Sequence, residues 1–254
     1  MAGGKKASAG RTIAWKLESA QAENRSPLLP IFLIVLVDIL GLTIILPLLP
    51  FYAEHFGASA TVVGLLISSY ACCQLIAGPI LGRMSDHMGR KPLLIVSQLG
   101  TLIGFLILAF AGSLWMVFLS RIIDGLTAGN LSLAQAYIAD VTTPENRAKS
   151  FGVIGIAFGI GFLIGPAISG FLAQFGLVYP IFAAAFLSAS SIVCTSTLLP
   201  KAEPHTGEGG RLDVLDWRGY TEYFARPKLG RLLWQFFFFA FSFALFTSGF
   251  ALVI

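Results

Sequence analysis

Positions 82–95 read GRMSDHMGRKPLLI. This short stretch holds Arg83, Asp86, His87, Arg90 and Lys91, yet a run of about twenty apolar residues lies on each side of it. A charged turn between two long apolar runs fits a chain that leaves a bilayer and re-enters it. The runs cross the hydrocarbon and the charges stay in water.

The composition points the same way. The 254 residues are 56% hydrophobic and 12% charged, about half the roughly 25% of charged residues usual in a soluble domain. So few charges cannot clothe a water-facing surface, and a bilayer removes that need. Outward from the turn, seven apolar segments of about 19–25 residues follow one another, each the length of a membrane-spanning helix. They cover 28–49, 61–82, 92–111, 114–138, 151–173, 178–199 and 232–254. The links between the first six are short, which makes sequential helices antiparallel. The expected layout is a polar tail over 1–27, a six-helix bundle over 28–199, a polar loop over 200–231 and a seventh helix over 232–254.

Charge distribution orients this bundle. Sixteen of the seventeen Lys and Arg fall in the tail, the 83–91 turn, the 147–149 turn and the 201–231 loop. The remaining one, Arg121, lies inside the fourth segment, and the loops of the opposite side carry none. The positive-inside rule places the N-terminus and the basic loops in the cytoplasm. The net charge of +4 is thus a topology signal and not the footprint of a nucleic-acid partner. The first 27 residues read as a cytoplasmic tail, since the apolar run after them is too long for a cleavable signal. The odd number of segments and the apolar end at Ile254 lead to the expectation of an incomplete chain.

Charges within spans are costly, about 2.5–3.5 kcal/mol each, and three stand out. Asp38 lies about 15 Å into the first segment, near the midplane. It is either a proton-binding carboxylate on a water-filled cavity or a structural acid paired with a neighbouring helix. Arg121 and Asp124 share one face of the fourth segment at i, i+3 spacing, continued by Gly125 and Ala128. They either neutralise each other or serve the cavity, with Arg121 also placed to offset Asp38. Gln74 in the second segment either lines the same cavity or bonds two helices together.

The fifth segment contains GIAFGIGFLIGPAISG at 155–170. Gly155, Gly159, Gly161, Gly165 and Gly170 supply small faces for close helix contact, and Pro166 bends the helix. Its G-x-G spacing is no nucleotide loop, because no strand precedes it. Gly-Pro also occurs late in the second segment, in LIAGPILG at 75–82, the correspondence expected of two three-helix repeats. Leu212, Leu215, Trp217 and Tyr220 could form an apolar face on the membrane surface, or belong to an irregular linker. Cys72, Cys73 and Cys194 lie within apolar runs as packing residues. His55, His87 and His205 occupy separate loops and make no metal site. No cofactor is implied.

These motifs together resemble the major facilitator superfamily. GRMSDHMGRKP is similar to its loop 2–3 signature at Gly82, Ser85, Asp86, Gly89, Arg90 and Lys91, with Met84 and His87 departing from the usual Leu and Arg. RIIDGLTAG (121–129) resembles the fourth-helix Arg motif, with Asp124 where Gln is common. GFLIGPAISG (161–170) resembles the antiporter motif at Gly161, Gly165, Pro166 and Gly170, with Ser169 in place of one Gly. With DILGLTIILPLLPFY (38–52) and AYIADVTTPENRAKSFG (136–152), the similarity is greatest to tetracycline-type drug/proton antiporters. It covers 28–199 well and the seventh segment more loosely.

The resemblance implies an all-α integral membrane fold, the N-terminal six-helix half of a twelve-helix transporter plus one further helix. It implies a non-enzymatic function: proton-driven efflux of small amphipathic compounds across a bacterial inner membrane, by alternating access. Asp38 and Arg121 would handle proton and substrate. Asp86 would help lock one state against the second half, in a cluster with Arg90 and Asp140. Proton-coupled uptake by symport and a non-transporting fragment, which associates with other helices, are the alternatives. The expected partners are a small-molecule substrate, protons, the lipid bilayer and the absent C-terminal half or another half-transporter chain.

Overall fold

The computed structural model describes residues 28–200 and 225–253. The 1–27 tail, His205 and the apolar face at 212–220 lie outside the described residues. Among those described there is no strand. The helices are α1 (Leu28–His55), α2 (Ala60–Met88), α3 (Arg90–Ala109), α4 (Leu114–Leu126), α5 (Asn130–Val141), α6 (Pro144–Ala173), α7 (Val178–Leu198) and α8 (Pro227–Val253). By length and composition, α1, α2, α3, α6 and α7 can each cross a membrane.

Two boundaries differ from the sequence reading. The 82–95 turn is nearly all helix: α2 runs on to Met88 and α3 starts at Arg90. Gly89 alone joins them, with φ +90° and ψ 150°, a conformation open to glycine and strained for other residues. The second difference is in the fourth segment, 114–138, which is two helices of 13 and 12 residues. They are separated at Thr127–Gly129. Neither alone reaches across the roughly 30 Å hydrocarbon core at about 1.5 Å per residue. Ala128 therefore sits in the break and does not extend the helical face of Arg121 and Asp124.

α1 lies against α6 and α7, α3 against α4 and α7, and α2 against α4. The buried apolar side chains fall into two layers. One joins the C-terminal half of α1 (Ile44, Ile45, Leu48, Leu49, Tyr52) to Val63, Leu66, Phe105, Leu108 and Ile181. The other joins the N-terminal half of α1 (Ile31, Ile34, Val35) to Leu81, Leu93, Leu94, Leu133, Ile138 and Ile154. Between these layers lies a level where buried polar groups collect: Thr43, Ser97, Gln98, Ser120, Arg121, Asp124, Ser188 and Ser191. The outward faces carry exposed Leu75, Leu163, Phe171 and Phe186, the surface a bilayer would cover.

The α1–α6 contact is the most extensive of these. A Cβ placed on Gly161 would strike Ile39, and one on Gly165 would strike Thr43. Thr43 Oγ lies 2.7 Å from the Ile39 carbonyl of its own helix and 3.0 Å from the Gly161 carbonyl of α6. Gly155, Gly159 and Gly170 face open space, so three of the five expected small contacts are not made. The two Gly-Pro pairs differ likewise: Gly165 is packed, whereas nothing approaches Gly78.

Candidate functional site

The polar level borders a partly open cavity of about 170 Å3. Asp38 and Asp124 both line it, with Leu42, Tyr70, Thr101, Phe105, Asn130 and Phe158 among the other walls. α1 brings Asp38 there because Ile34, Val35 and Ile39 bury the adjoining face. Gln98 of α3 donates from Nε2 to Ser191 Oγ of α7 at 2.8 Å, and Thr101 lines the cavity with the two acids.

Arg121 stands behind this wall. It is 4% exposed, and its Nη1 lies 3.2 Å from Asp124 Oδ2. Its guanidinium carbon is 5.9 Å from the Tyr70 ring centroid and 5.8 Å from that of Phe105, within the range of cation–π attraction. Its Nη2 is buried without a hydrogen-bond partner. Tyr70 and Phe105 thus face the cavity and also contact the buried cation. Arg121 does not itself line the cavity.

The helix break beside Asp124 is closed from α3. Ser97 Oγ donates to the Thr127 carbonyl and accepts from Gly129 N–H at 2.9 Å. Thr127 folds back on its own helix, with Oγ1 2.9 Å from the Ile123 carbonyl. Gly100 permits this approach, because a Cβ there would overlap Thr127. Gly125 does the same for α2, where a Cβ would come 2.7 Å from Cys73 Cβ and Tyr70 O. The break lets Asn130 and Leu131, the first residues of α5, reach the cavity.

At the basic end, Arg90 gathers the loop motif. Its Nη2 lies 2.5 Å from Asp86 Oδ1 and its Nε donates to Asp140 Oδ2 at 2.9 Å. Its Nη1 donates to Ser85 Oγ and reaches the Gly82 carbonyl at 3.4 Å. Lys91 Nζ donates to the Ser196 and Leu199 carbonyls at 2.8 and 2.6 Å, at the C-terminal end of α7 where a cation is favoured. Asp86, Arg90 and Asp140 therefore meet in one cluster, and Lys91 is committed to another helix.

Gln74 stands apart from this cavity. It is exposed on α2, touches Tyr70 OH at 3.4 Å, and lies outside the cavity wall. Tyr70, one turn earlier, takes the inward place. Cys72 is also exposed, whereas Cys73 packs on Gly125. The sequence reading passed over Tyr70, Gln98, Phe105, Asn130 and Ser191. Gln98 carried a usable signal, a single amide in the apolar run LLIVSQLGTLIGFL. Among the described residues no group of metal-ligating side chains comes together.

A family model described as Major Facilitator Superfamily matches residues 31–254. The chain belongs to this superfamily. Over 158 residues it is 40% identical to the class B tetracycline resistance protein of Escherichia coli, covering 61% of this chain and 39% of that protein. Multidrug resistance protein 2 of Bacillus subtilis is 35% identical over 172 residues, 66% of this chain and 42% of the relative. The crystal structure of the human organic anion transporter MFSD10 (TETRAN) superposes with a TM-score of 0.63 at 28% identity, covering 70% of this chain and 48% of that one. A peptide transporter, POT, in complex with sulfate has a TM-score of 0.65 at 16% identity, over 86% of this chain and 46% of that one, a likeness of fold alone. The superfamily chain thus spans less than half the length of these relatives. It is an all-α, multi-pass membrane protein, and its family relatives are named for resistance and transport, not for enzymatic chemistry.

Proposed function

We propose that this chain forms one half of a secondary transporter that exports small amphipathic compounds in exchange for protons, by alternating access. The observation that carries the reading is the pair Asp38 and Asp124 on the wall of one cavity, at the polar level between two apolar layers. A buried carboxylate can change its charge by taking up a proton. It can also pair with a cationic or polar part of a substrate, and the two events compete at one site. The tetracycline and multidrug resistance relatives support efflux and a substrate of that class.

In this scheme Asp38 is the first proton acceptor. Asp124 pairs with Arg121 and shapes the cavity's electrostatics. Gly161, Gly165 and Pro166 set the approach of α1 to α6, so that Asp38 moves with α6 when the bundle tilts. The Asp86–Arg90–Asp140 cluster lies at the cytoplasmic end, where Asp86, the more exposed acid, is placed to meet a second half. That half would be a C-terminal bundle such as the longer relatives have room for, or another chain of this kind. The basic loops support a cytoplasmic N-terminus, and the bacterial resistance relatives support an inner-membrane location.

The test uses everted membrane vesicles carrying the protein, with tetracycline as probe. Adding drug should dissipate an imposed pH gradient, and Asp38→Asn should abolish that exchange. Wild-type exchange in Asp38→Asn vesicles would remove Asp38 from the scheme.

A further inference from the structure

Asn130 opens α5, where the broken fourth span resumes. Asparagine is common at helix starts because its side-chain oxygen accepts from a first-turn N–H. Asn130 does not serve in that way, since its Oδ1 is buried and has no hydrogen-bond partner. The backbone and two serines hold this helix start instead. The Leu133 N–H donates to the Gly129 carbonyl at 2.8 Å, and Ser132 Oγ donates to the same carbonyl at 3.1 Å. Ser97 Oγ accepts from the Gly129 N–H at 2.9 Å. None of these bonds uses the Asn130 side chain. Packing does not call for an amide either. A buried acceptor left unpaired costs stability, and an apolar side chain of similar size would avoid that cost.

The break does give Asn130 a place on the cavity wall, which Asp38 of α1 and Asp124 of α4 also line. Leu42, Phe105 and Phe158 are among the apolar walls. In such a site a few polar groups fix the orientation of what binds. The cavity, about 170 Å3, is smaller than the roughly 300–1,000 Å3 of a site for a whole drug-sized molecule. It therefore takes one edge of such a molecule. Asp124 is already paired with Arg121 at 3.2 Å, whereas the Asn130 acceptor is uncommitted. The terminal torsion of asparagine is broad, so a modest turn of the amide presents Oδ1 to the lumen.

We propose that Asn130 is a specificity-determining residue of this cavity, whose Oδ1 accepts a hydrogen bond from a hydroxyl or amide N–H on the substrate edge that enters beside Asp38 and Asp124. The inference rests on this cavity being the substrate site of the proposed transporter. It adds a selection rule to that reading: amphipathic compounds with a neutral donor are favoured over those without one. A site built to hydrogen-bond its substrate rejects an analogue that leaves its own polar group unpaired.

The experiment measures binding to the purified chain in detergent by equilibrium dialysis, with two radiolabelled probes. Tetracycline carries hydroxyl and amide donors, and tetraphenylphosphonium is a lipophilic cation with none. Asn130→Leu should weaken tetracycline by about tenfold, the loss of one hydrogen bond, and leave tetraphenylphosphonium unchanged. Asn130→Ser, which keeps an oxygen acceptor, should recover most of the tetracycline affinity. If Asn130→Leu does not insert, Asn130→Ala carries the same comparison. Equal weakening of both probes would overturn the proposal, because a structural role does not distinguish them. So would unchanged tetracycline affinity in Asn130→Leu, or a wild type that does not bind tetracycline. Binding is read without proton exchange, so the two readings separate. Weakened tetracycline in Asn130→Leu with normal exchange in Asp38→Asn sinks the Asp38 scheme and leaves the role of Asn130. Unchanged affinity in Asn130→Leu with exchange lost in Asp38→Asn does the reverse.

Discussion

Arg90 and Asp140 are fifty residues apart in sequence and meet through an Nε–Oδ2 hydrogen bond of 2.9 Å. The side chains are 14% and 18% exposed, so water screens this pair less than a surface bridge. The bond ties the start of α3 to the end of α5, and Asp86 contacts the same guanidinium from α2. Removing Arg90 leaves two carboxylates facing each other. Arg90→Ala should destabilise the protein by about 2 kcal/mol, typical of a hydrogen bond to a charged group. Asp140→Asn should cost less, because Asp86 still holds Arg90. Thermal unfolding in detergent of both single variants and the double checks this, and strictly additive losses would show that Arg90 and Asp140 are not coupled.

Gly89 makes a second prediction at the same place. At φ +90° an alanine is strained by about 1–2 kcal/mol. Its N–H also bonds the Ser85 carbonyl at 3.0 Å, which fixes the direction in which α3 leaves α2. Gly89→Ala should lower the unfolding temperature and weaken the Arg90–Asp140 coupling measured by the same cycle. A variant as stable as wild type would mean that the joint relaxes without strain.

Much of this arrangement was legible in the sequence because charge is rare in it. The placement of Lys and Arg drew the loops, and Asp38, Arg121 and Asp124 stood out within apolar runs. What could not be read was which way an uncharged group faces. Gln74 and Gln98 are equivalent in sequence, each a lone amide in a span, yet one is exposed and the other fully buried. The five glycines of α6 were likewise indistinguishable until α1 covered two of them. The break at Thr127–Gly129 was hidden for a different reason. Its donor and acceptor come from Ser97, a residue thirty positions earlier on another helix.

Those glycines give a contrast within one helix. Gly161→Ala and Gly165→Ala force a methyl group into Ile39 and Thr43, and overpacking of this kind costs about 1–3 kcal/mol. Gly155→Ala and Gly170→Ala meet nothing and should be neutral or stabilising by up to about 1 kcal/mol from helix propensity. The four unfolding temperatures in detergent should fall into two groups. Equal losses at all four positions would contradict the α1–α6 contact described above.

Ser97→Ala removes the side chain that closes the broken fourth span. The Thr127 carbonyl loses a donor and the Gly129 N–H loses its acceptor, and an orphaned buried group costs about 1–3 kcal/mol. The loss is local, so hydrogen exchange is the sensitive measurement. The amide of Gly129 should exchange faster in Ser97→Ala, whereas amides in the middle of α3 stay protected. Unchanged protection at Gly129 would show that another acceptor replaces Ser97.

Arg121 and Asp124 form a pair whose side chains are 5% and 6% exposed, and its two members should respond differently to removal together and apart. Arg121→Leu leaves a buried carboxylate uncompensated, a loss of about 3–5 kcal/mol for pairs of this kind. Arg121→Leu with Asp124→Leu removes both charges and should recover most of that stability, since an apolar pair needs no desolvation. Arg121→Lys keeps the charge but loses the planar group that faces Tyr70 and Phe105. Lysine cannot reproduce that stacking, so this variant should lose about 1–2 kcal/mol. Thermal unfolding in detergent of the three variants orders them: the single leucine variant least stable, with the lysine and double variants above it. A double variant no more stable than Arg121→Leu would mean that the cation stabilises the fold through its aromatic contacts rather than by neutralising Asp124.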